Sequence, residues 1–309
     1  MKTQLLATTE QLVRIPSIAD RLAELNHIID YVECFFENTS LSIKRYCSGE
    51  KPSIVISTQD TLSPDILLVG HLDVVPASED MFQLTQKGGR VYGRGVCDMK
   101  SECAVMMHLL KDSSVREHTP NIGLMLTTDE EIGGEHGVNY LLNTIGYRSR
   151  IALVPDGGQS PHEIVITNKG VLLVRLTAQG KTGHGSRPWL GENAIDALVE
   201  AYDRIRSNCF DALGTETFWG PTCNLGKISG GAAANQVPDS AVCELDIRIT
   251  EDMKLADVLA RLQREAGHKV CVEVLVSGDT MHTDLQNVFV QSYASCVREC
   301  TASEVEYSK

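Results

Sequence analysis

The sequence predicts an α/β fold with a mostly parallel central sheet and an inserted α+β domain of ferredoxin-like order. Two observations support this prediction. Over residues 1–167, short apolar runs typical of buried strands alternate with segments of helical periodicity, which favours a largely parallel sheet covered on both faces. From about residue 168 the pattern becomes β-α-β-β-α-β, the order of a ferredoxin-like sandwich.

The elements of 1–167 follow from the spacing of apolar residues. Two helices come first, separated by Ile15-Pro16-Ser17, and short β-rich runs then alternate with helical stretches. The run at 66–70 is nearly all apolar, as expected for a strand buried on both faces. The predicted helices are 3–13, 20–37, 99–110 and 136–143, and the predicted strands are 53–58, 66–70, 122–127 and 151–155.

The inserted domain is predicted over 168–278, and the chain then returns to the first domain over 279–309, where 284–300 has helical periodicity. The first domain would therefore be built from 1–167 and 279–309. The predicted elements of the insert are strand 170–178, helix 192–206, strands 222–228 and 241–250, helix 254–265 and strand 269–276.

Composition excludes several classes of protein. The formal net charge of -13, without any cluster of Lys and Arg, argues against nucleic-acid binding, because neutralising phosphates requires such clusters. No stretch reaches the roughly 18 apolar residues of a membrane span, so we expect no membrane insertion. The cysteines are scattered without C-x-x-C spacing, which predicts reduced thiols and a cytoplasmic protein.

Acidic residues and one histidine follow the predicted strands of the first domain. His71 and Asp73 come directly after one strand, Glu130 and Glu131 follow the next, and Asp156 follows the last. Ligands of α/β sheets bind at the carboxyl ends of the strands, so these side chains are expected to converge. The glycines around Asp98 allow a tight backbone path that brings its carboxylate beside the histidine.

This set of side chains suits a two-metal hydrolase. The Asp73 carboxylate can accept the free ring N–H of a metal-bound His71, and the two oxygens of Asp98 can bridge two cations. The adjacent Glu130 and Glu131 diverge in extended backbone, so one can ligate metal while the other holds the attacking water. Each motif alone is more often a solvated turn or a helix cap, and only their order along the chain supports a site.

Three segments carry a family resemblance. Residues 70–76 (GHLDVVP), 92–100 (YGRGVCDMK) and 128–134 (TDEEIGG) resemble the signature segments of the M20 family of metallopeptidases. That family includes acetylornithine deacetylase, succinyl-diaminopimelate desuccinylase, glutamate carboxypeptidases and several di- and tripeptidases. The resemblance implies a zinc-peptidase-like catalytic domain with two Zn²⁺ per subunit and a smaller lid and dimerisation domain, through which the protein would form a homodimer.

The resemblance also implies which residues bind the metals. Asp98 would be the bridging ligand, His71 and Asp156 would ligate one zinc, and Glu131 would ligate the other. An oxygen-rich site admits Co²⁺ or Mn²⁺ as well as Zn²⁺.

The remaining roles implied by the resemblance are catalysis and substrate binding. Glu130 would be the general base, and Asp73 would orient the metal-binding histidine. In the insert, His184 would stabilise the reacting carbonyl oxygen, often across a dimer interface, while Asn235 and Arg248 would contact substrate, typically its carboxylate. The alternative for His184 is a glycine-loop histidine exposed to solvent.

The end of the chain departs from the family pattern. The family continues with a Gly-x-Ser-Asp segment and a histidine near an Asn-Glu pair, which completes the second zinc site. The sequence ends at Lys309 without that histidine. We therefore expect a truncated or incomplete chain in which the Glu131 site is open.

Three functions remain in competition. The first is a zinc-dependent hydrolase that cleaves the amide bond of a small peptide or N-acyl amino acid, and Asp156 favours its peptidase members. The second is an acetylornithine or succinyl-diaminopimelate type of deacylase. The third is a non-catalytic binding or dimerising protein, suggested by the absent ligand, although such a protein has no use for the general base Glu130.

Overall fold

The computed structural model describes residues 2–112, 121–156, 160 and 162–309. The chain forms two compact units, Met1–Gly157 and Gly158–Lys309, called here the first and second units. The domain bounds predicted from sequence, 1–167, 168–278 and 279–309, stay predictions.

The first unit is an α/β structure. Its described helices are α1 (Lys2–Arg14), α2 (Leu22–Phe35) and α3 (Ser101–Lys111), and its described strands are β1 (Ser42–Ser48), β2 (Lys51–Ser57), β3 (Ile66–His71), β4 (Thr85–Lys87), β5 (Arg90–Tyr92), β6 (Ile122–Thr127) and β7 (Ile151–Leu153).

Five of these strands form one sheet in the order β1-β2-β6-β3-β7. Strand β3 is parallel to both β6 and β7, and the antiparallel pair β1–β2 extends the sheet beside β6. All six residues of β6 are buried, as its unbroken apolar run predicts. Successive side chains enter opposite cores: Leu124 packs in the cluster that includes residues of α1, α2 and α3, whereas Met125 packs on the other face with Tyr147.

Two predicted helices of this unit differ from the observed ones. The helix predicted from residue 99 begins at Ser101 after a tight turn over Val96–Lys100, because Asp98 and Met99 have non-helical backbone angles. The Asp98–Met99 peptide bond is cis. The helix predicted over 136–143 is observed as two short π-helical turns, Glu135–Asn139 and Leu141–Ile145.

The second unit contains the predicted β-α-β-β-α-β core. Its described elements are β8 (Glu163–Val165), β9 (Thr167–Asn168), β10 (Gly170–Gln179), β11 (Gly183–His184), α4 (Ala194–Asn208), β12 (Thr222–Gly230), β13 (Gln236–Val237), β14 (Ser240–Ile249), α5 (Leu255–Ala266), β15 (Val270–Gly278), β16 (Met281–His282), α6 (Val288–Thr301) and β17 (Glu306–Ser308).

The main sheet of this unit is antiparallel with the order β12-β14-β10-β15, the ferredoxin-like arrangement that the sequence predicts. Alternate residues of β10 and β14 are buried, and they share one core with the apolar side chains of α4 and α5. Helix α4 begins where the Asn193 side chain accepts the backbone N–H groups of Ile195 and Asp196. After this sheet, β16 pairs with β9 and β17 pairs with β8.

Two further findings concern membrane-spanning helices and the state of the cysteines. No helix in the described part of the chain combines the length and apolar composition that a bilayer span requires. All ten cysteines are free, including the buried Cys103, Cys209 and Cys243.

Candidate metal centre

His71 lies at the carboxyl end of β3 and is almost completely buried, with 2% of its surface exposed. Its Nδ1 atom lies 3.0 Å from the backbone carbonyl oxygen of Asp73 and 3.4 Å from the Asp73 carboxylate. A carbonyl oxygen only accepts, so Nδ1 carries a hydrogen and donates it. The other ring nitrogen, Nε2, therefore faces the site and is the atom available to a metal.

Three carboxylates converge on His71 Nε2. The nearest is Asp98 Oδ1 at 2.9 Å, followed by Asp156 Oδ2 at 3.7 Å and Glu130 Oε2 at 3.8 Å. Glu130 follows β6 and Asp156 follows β7, while Asp98 lies in the turn before α3. The structure thus brings together four of the sequence-predicted residues at the carboxyl edge of the parallel strands, as expected from their positions.

The spacing of these donor atoms fits a divalent metal. Zinc binds imidazole nitrogen and carboxylate oxygen at about 2.0–2.2 Å, so two tetrahedral donors lie about 3.4 Å apart. The distances from Nε2, 2.9 to 3.8 Å, bracket that value. His71, Glu130 and Asp156 also offer ligand atoms that all lie within 4.8 Å of one another. One imidazole and several carboxylates form a donor set that zinc, cobalt and manganese all accept.

The charges of the cluster also favour a cation at the position that its donor atoms surround. Burial alone lowers the pKa of His71, but its contact with Asp73 and the charges of Glu130 and Asp156 outweigh burial and raise that pKa to about 9. Burial raises the pKa of Glu130 and of Asp156, and neighbouring carboxylates raise both further, although the charge of His71 opposes the increase. His71 Nε2 and these carboxylates could hold a divalent cation, which would relieve this repulsion and take the place of the proton on Nε2.

Asp73 supports both sides of the cluster. Its carboxylate is fully buried, and its two oxygens accept the backbone N–H groups of Glu130 at 3.2 Å and Glu131 at 3.0 Å. The ring contact of His71 is made mainly by the Asp73 backbone carbonyl, whereas sequence reasoning assigned it to the carboxylate. Asp73 therefore fixes the position of the histidine relative to the Glu130–Glu131 turn.

Two acidic residues near the cluster were missed by sequence reasoning. Asp129 is buried, and its Oδ2 atom accepts the backbone N–H groups of His136 at 2.7 Å and Gly137 at 3.0 Å, which holds the turn that follows the glutamates. Glu102 lies in the first turn of α3, where burial and then the charges of Asp156 and Asp98 raise its pKa. An acid before Glu-Glu or at a helix start is common, so neither had a distinguishing sequence signal.

Glu131 is not among the three residues that share one cation position. Burial raises its pKa, and the charge of Asp98 raises it further, so Glu131 is near the bridging candidate. Glu130 is predicted as the base, but its Oε2 atom lies 3.8 Å from His71 Nε2, close enough for both atoms to bind one metal ion. The division of labour between the two glutamates stays a prediction.

In the second unit, His184 and Asn235 lie on neighbouring segments. Strand β11 pairs with β13 so that His184 is opposite Gln236, and Gly185 donates its N–H to the Asn235 carbonyl at 2.7 Å. His184 is exposed, and its Nδ1 atom accepts the backbone N–H of Ser186 at 3.1 Å. Neutral His184 therefore carries its hydrogen on Nε2, as a donor toward solvent or substrate.

Arg248 is not brought to the same place. Its guanidinium donates to both oxygens of Asp246, at 2.8 and 3.2 Å. Ser240 and Arg248 are the first and ninth of the ten residues of β14, so about 26 Å of extended strand separates them at roughly 3.3 Å per residue. Asn235 belongs to the connection between β12 and β14, which enters β14 at Ser240, whereas Arg248 lies near the opposite end of that strand.

Comparisons with known proteins agree with this architecture. The model of the M20 peptidase dimerisation domain matches residues 166–270. The chain is 32% identical over 225 residues to a probable carboxypeptidase of Aspergillus niger, a match that covers 66% of this chain and 52% of that protein. It is 34% identical over 205 residues to acetylornithine deacetylase of Shigella sonnei, which covers 62% of this chain and 52% of the relative.

The fold is shared with solved structures at low identity. An M20 family metallo-carboxypeptidase from Sulfolobus solfataricus superposes with a TM-score of 0.78 at 17% identity, covering 99% of this chain and 85% of that one. The chain spans about half the length of the curated relatives it matches.

The fold and the cluster define a class of α/β proteins with a histidine- and carboxylate-lined metal site and a ferredoxin-like dimerisation domain. The sequence matches support the M20 family of metallopeptidases as the family within that class.

Proposed function

We propose that the whole protein is a zinc-dependent hydrolase that cleaves the amide bond of a small peptide or N-acyl amino acid. The observation that carries this proposal is the buried His71, whose Nε2 atom faces Asp98, Glu130 and Asp156 at 2.9 to 3.8 Å. The family of the chain and the hydrolytic names of its relatives support the same reaction class.

His71, Asp98 and Asp156 would hold one zinc, and Asp98 with Glu131 would hold a second. At such a site zinc would act as a Lewis acid that lowers the pKa of bound water and polarises a carbonyl oxygen. Cobalt or manganese would suit the same oxygen-rich donors.

Glu130 is the proposed general base. The base takes a proton from the attacking water and returns it to the departing amine, which both halves of amide hydrolysis require. Burial and nearby carboxylates raise the pKa of Glu130, which makes it a better proton acceptor. Asp73 accepts the backbone N–H groups of Glu130 and Glu131, and these two hydrogen bonds fix the backbone at Glu130.

His184 and Asn235 are the proposed substrate contacts in the second unit. Their segments are paired, so they can act on neighbouring atoms of one substrate. With its hydrogen on Nε2, His184 can donate to the carbonyl oxygen as negative charge develops there. The match of residues 166–270 to a dimerisation domain supports a homodimer. The substrate contact of Arg248 and the cytoplasmic location stay predictions.

The substitution Glu130→Gln tests the catalytic assignment. Because glutamine cannot accept the proton, kcat should fall at least about 100-fold, while zinc content is retained. Glu37→Gln, an exposed glutamate after α2, is the matched control and should leave kcat unchanged. Turnover by Glu130→Gln at the wild-type rate on both peptides and N-acyl amino acids would remove Glu130 from the mechanism.

An acetylornithine-type deacylase is the second candidate, because the chain is 34% identical to acetylornithine deacetylase over 205 residues. A panel of dipeptides, N-acetyl amino acids and N-succinyl amino acids separates the two candidates by their kcat/KM values. Hydrolysis of the acyl amino acids alone would favour the deacylase. Zinc binding without turnover of any member would favour the non-catalytic binding protein.

A further inference from the structure

We propose that residues 12–18, the end of α1 and the start of its connection to α2, are a brace that positions both metal-binding turns through Ser17 and Lys100. The inference rests on the proposed metal-binding function and adds two positioning residues to it. The hydrogen bonds of both side chains go to backbone oxygens and not to the carboxylates of the cluster.

Ser17 holds the turn that carries His71 and Asp73. Its hydroxyl donates to the Leu72 carbonyl oxygen at 2.6 Å, and its own carbonyl oxygen accepts the N–H of Val74 at 3.1 Å. Ser17 is completely buried. Leu72 lies between the metal-binding histidine and its supporting aspartate, so the Ser17 hydroxyl fixes the peptide that joins them.

Lys100 ties the second turn to the same segment. Its amino group donates to the carbonyl oxygens of Leu12 at 2.9 Å and Ile15 at 2.8 Å, and the whole side chain is buried. Lys100 ends the turn Val96–Lys100, which contains the predicted bridging ligand Asp98. A buried amino group must find acceptors, and here they are backbone oxygens in the last turn of α1 and just after it.

The two sets of bonds converge on one short stretch of backbone. Ile15 accepts from the turn of Asp98, and Ser17, two residues later, bonds to the turn of His71. Outside this stretch, Cys103 of α3 also holds the histidine turn, because its thiol lies 3.2 Å from the His71 carbonyl oxygen. The brace therefore sets the distance between two ligands that come from parts of the chain 27 residues apart.

A matched pair of buried serines tests the brace. Ser17→Ala removes the hydroxyl that holds Leu72, whereas Ser53→Ala removes a buried hydroxyl that has no hydrogen-bond partner among the described residues. Metal-free protein is titrated with Co²⁺, and its absorption spectrum and thermal unfolding are recorded. We expect Ser17→Ala to raise the dissociation constant for Co²⁺ about 10-fold and to alter the spectrum, with no change for Ser53→Ala.

Lys100→Met provides a second, independent variant, since it removes the amino group but keeps a side chain of similar length. It too should weaken Co²⁺ binding about 10-fold, and it decides the question if Ser17→Ala does not fold. Wild-type Co²⁺ affinity in the folded variants, or equal weakening by Ser17→Ala and Ser53→Ala, would overturn the brace alone. If the wild-type protein binds no Co²⁺, the proposed metal site fails, and the brace fails with it.

Discussion

The turn around His71 and the loop around His184 both present a histidine, but the burial and the hydrogen bonds of the two side chains differ. His71 is 2% exposed and has acceptors at both ring nitrogens, and the neighbouring Asp73 bonds two amide groups of another turn. His184 is exposed, and its ring nitrogen bonds only to the nearby Ser186 among the described contacts. Substitutions in the turn around His71 should therefore weaken metal binding and lower stability, whereas substitutions in the loop around His184 should affect turnover alone.

The largest effect is expected for Asp73→Asn. Its two oxygens accept the N–H groups of Glu130 and Glu131, and an amide replaces one acceptor with a donor that faces an N–H group. Metal affinity should fall about 10–100-fold, the range for residues that support metal ligands. Calorimetric titration with Zn²⁺ measures this loss. Wild-type affinity would mean that the buried carboxylate does not support the cluster.

A smaller effect is expected for Gly137→Ala. A Cβ atom at Gly137 would lie 2.1 Å from Asp129 Oδ1 and 2.8 Å from Thr127 Cβ, so the buried carboxylate or its turn must shift. The free energy of unfolding should fall by about 1–3 kcal/mol, as measured by denaturant titration. Gly226→Ala in the second unit is the control, because a Cβ there meets no atom closer than 3.7 Å. Equal losses in both variants would contradict a specific role for the Asp129 turn.

The smallest effect on stability is expected for His184→Ala. The side chain is exposed, so the free energy of unfolding should change by less than about 0.5 kcal/mol. Its kcat should nevertheless fall, because the proposed donor to the carbonyl oxygen is lost. His268→Ala, another exposed histidine of the second unit, should alter neither quantity. A stability loss on His184→Ala would show that this loop has a structural role as well.

Sequence patterns predicted the strand ends because their physical signal is local. The run 122–127 is predicted as a strand and observed over the same residues, since six consecutive apolar or small residues suit a strand buried on both faces. The convergence of His71, Glu130 and Asp156 then follows from the rule that parallel strands share one carboxyl edge, while the turn before α3 brings Asp98 to the same place.

Ser17 and Lys100, the residues that position the cluster, had no such local signal in the sequence. Ser17 bonds to a backbone oxygen 55 residues away, and Lys100 bonds to one 88 residues away. A backbone oxygen is present at every position, so no residue type marks the partner. Arg248 shows a related limit: its motif predicts a substrate contact, but the motif does not show that Arg248 lies near the end of β14 opposite to the end at which the segment of Asn235 enters.

Zinc content after dialysis of wild type, His71→Ala and His184→Ala tests the central claim most directly. The buried cluster predicts stoichiometric zinc in the wild type and in His184→Ala, with a clear loss in His71→Ala. Zinc absent from the wild type, or retained in full by His71→Ala, would contradict the assignment of this cluster as the metal centre.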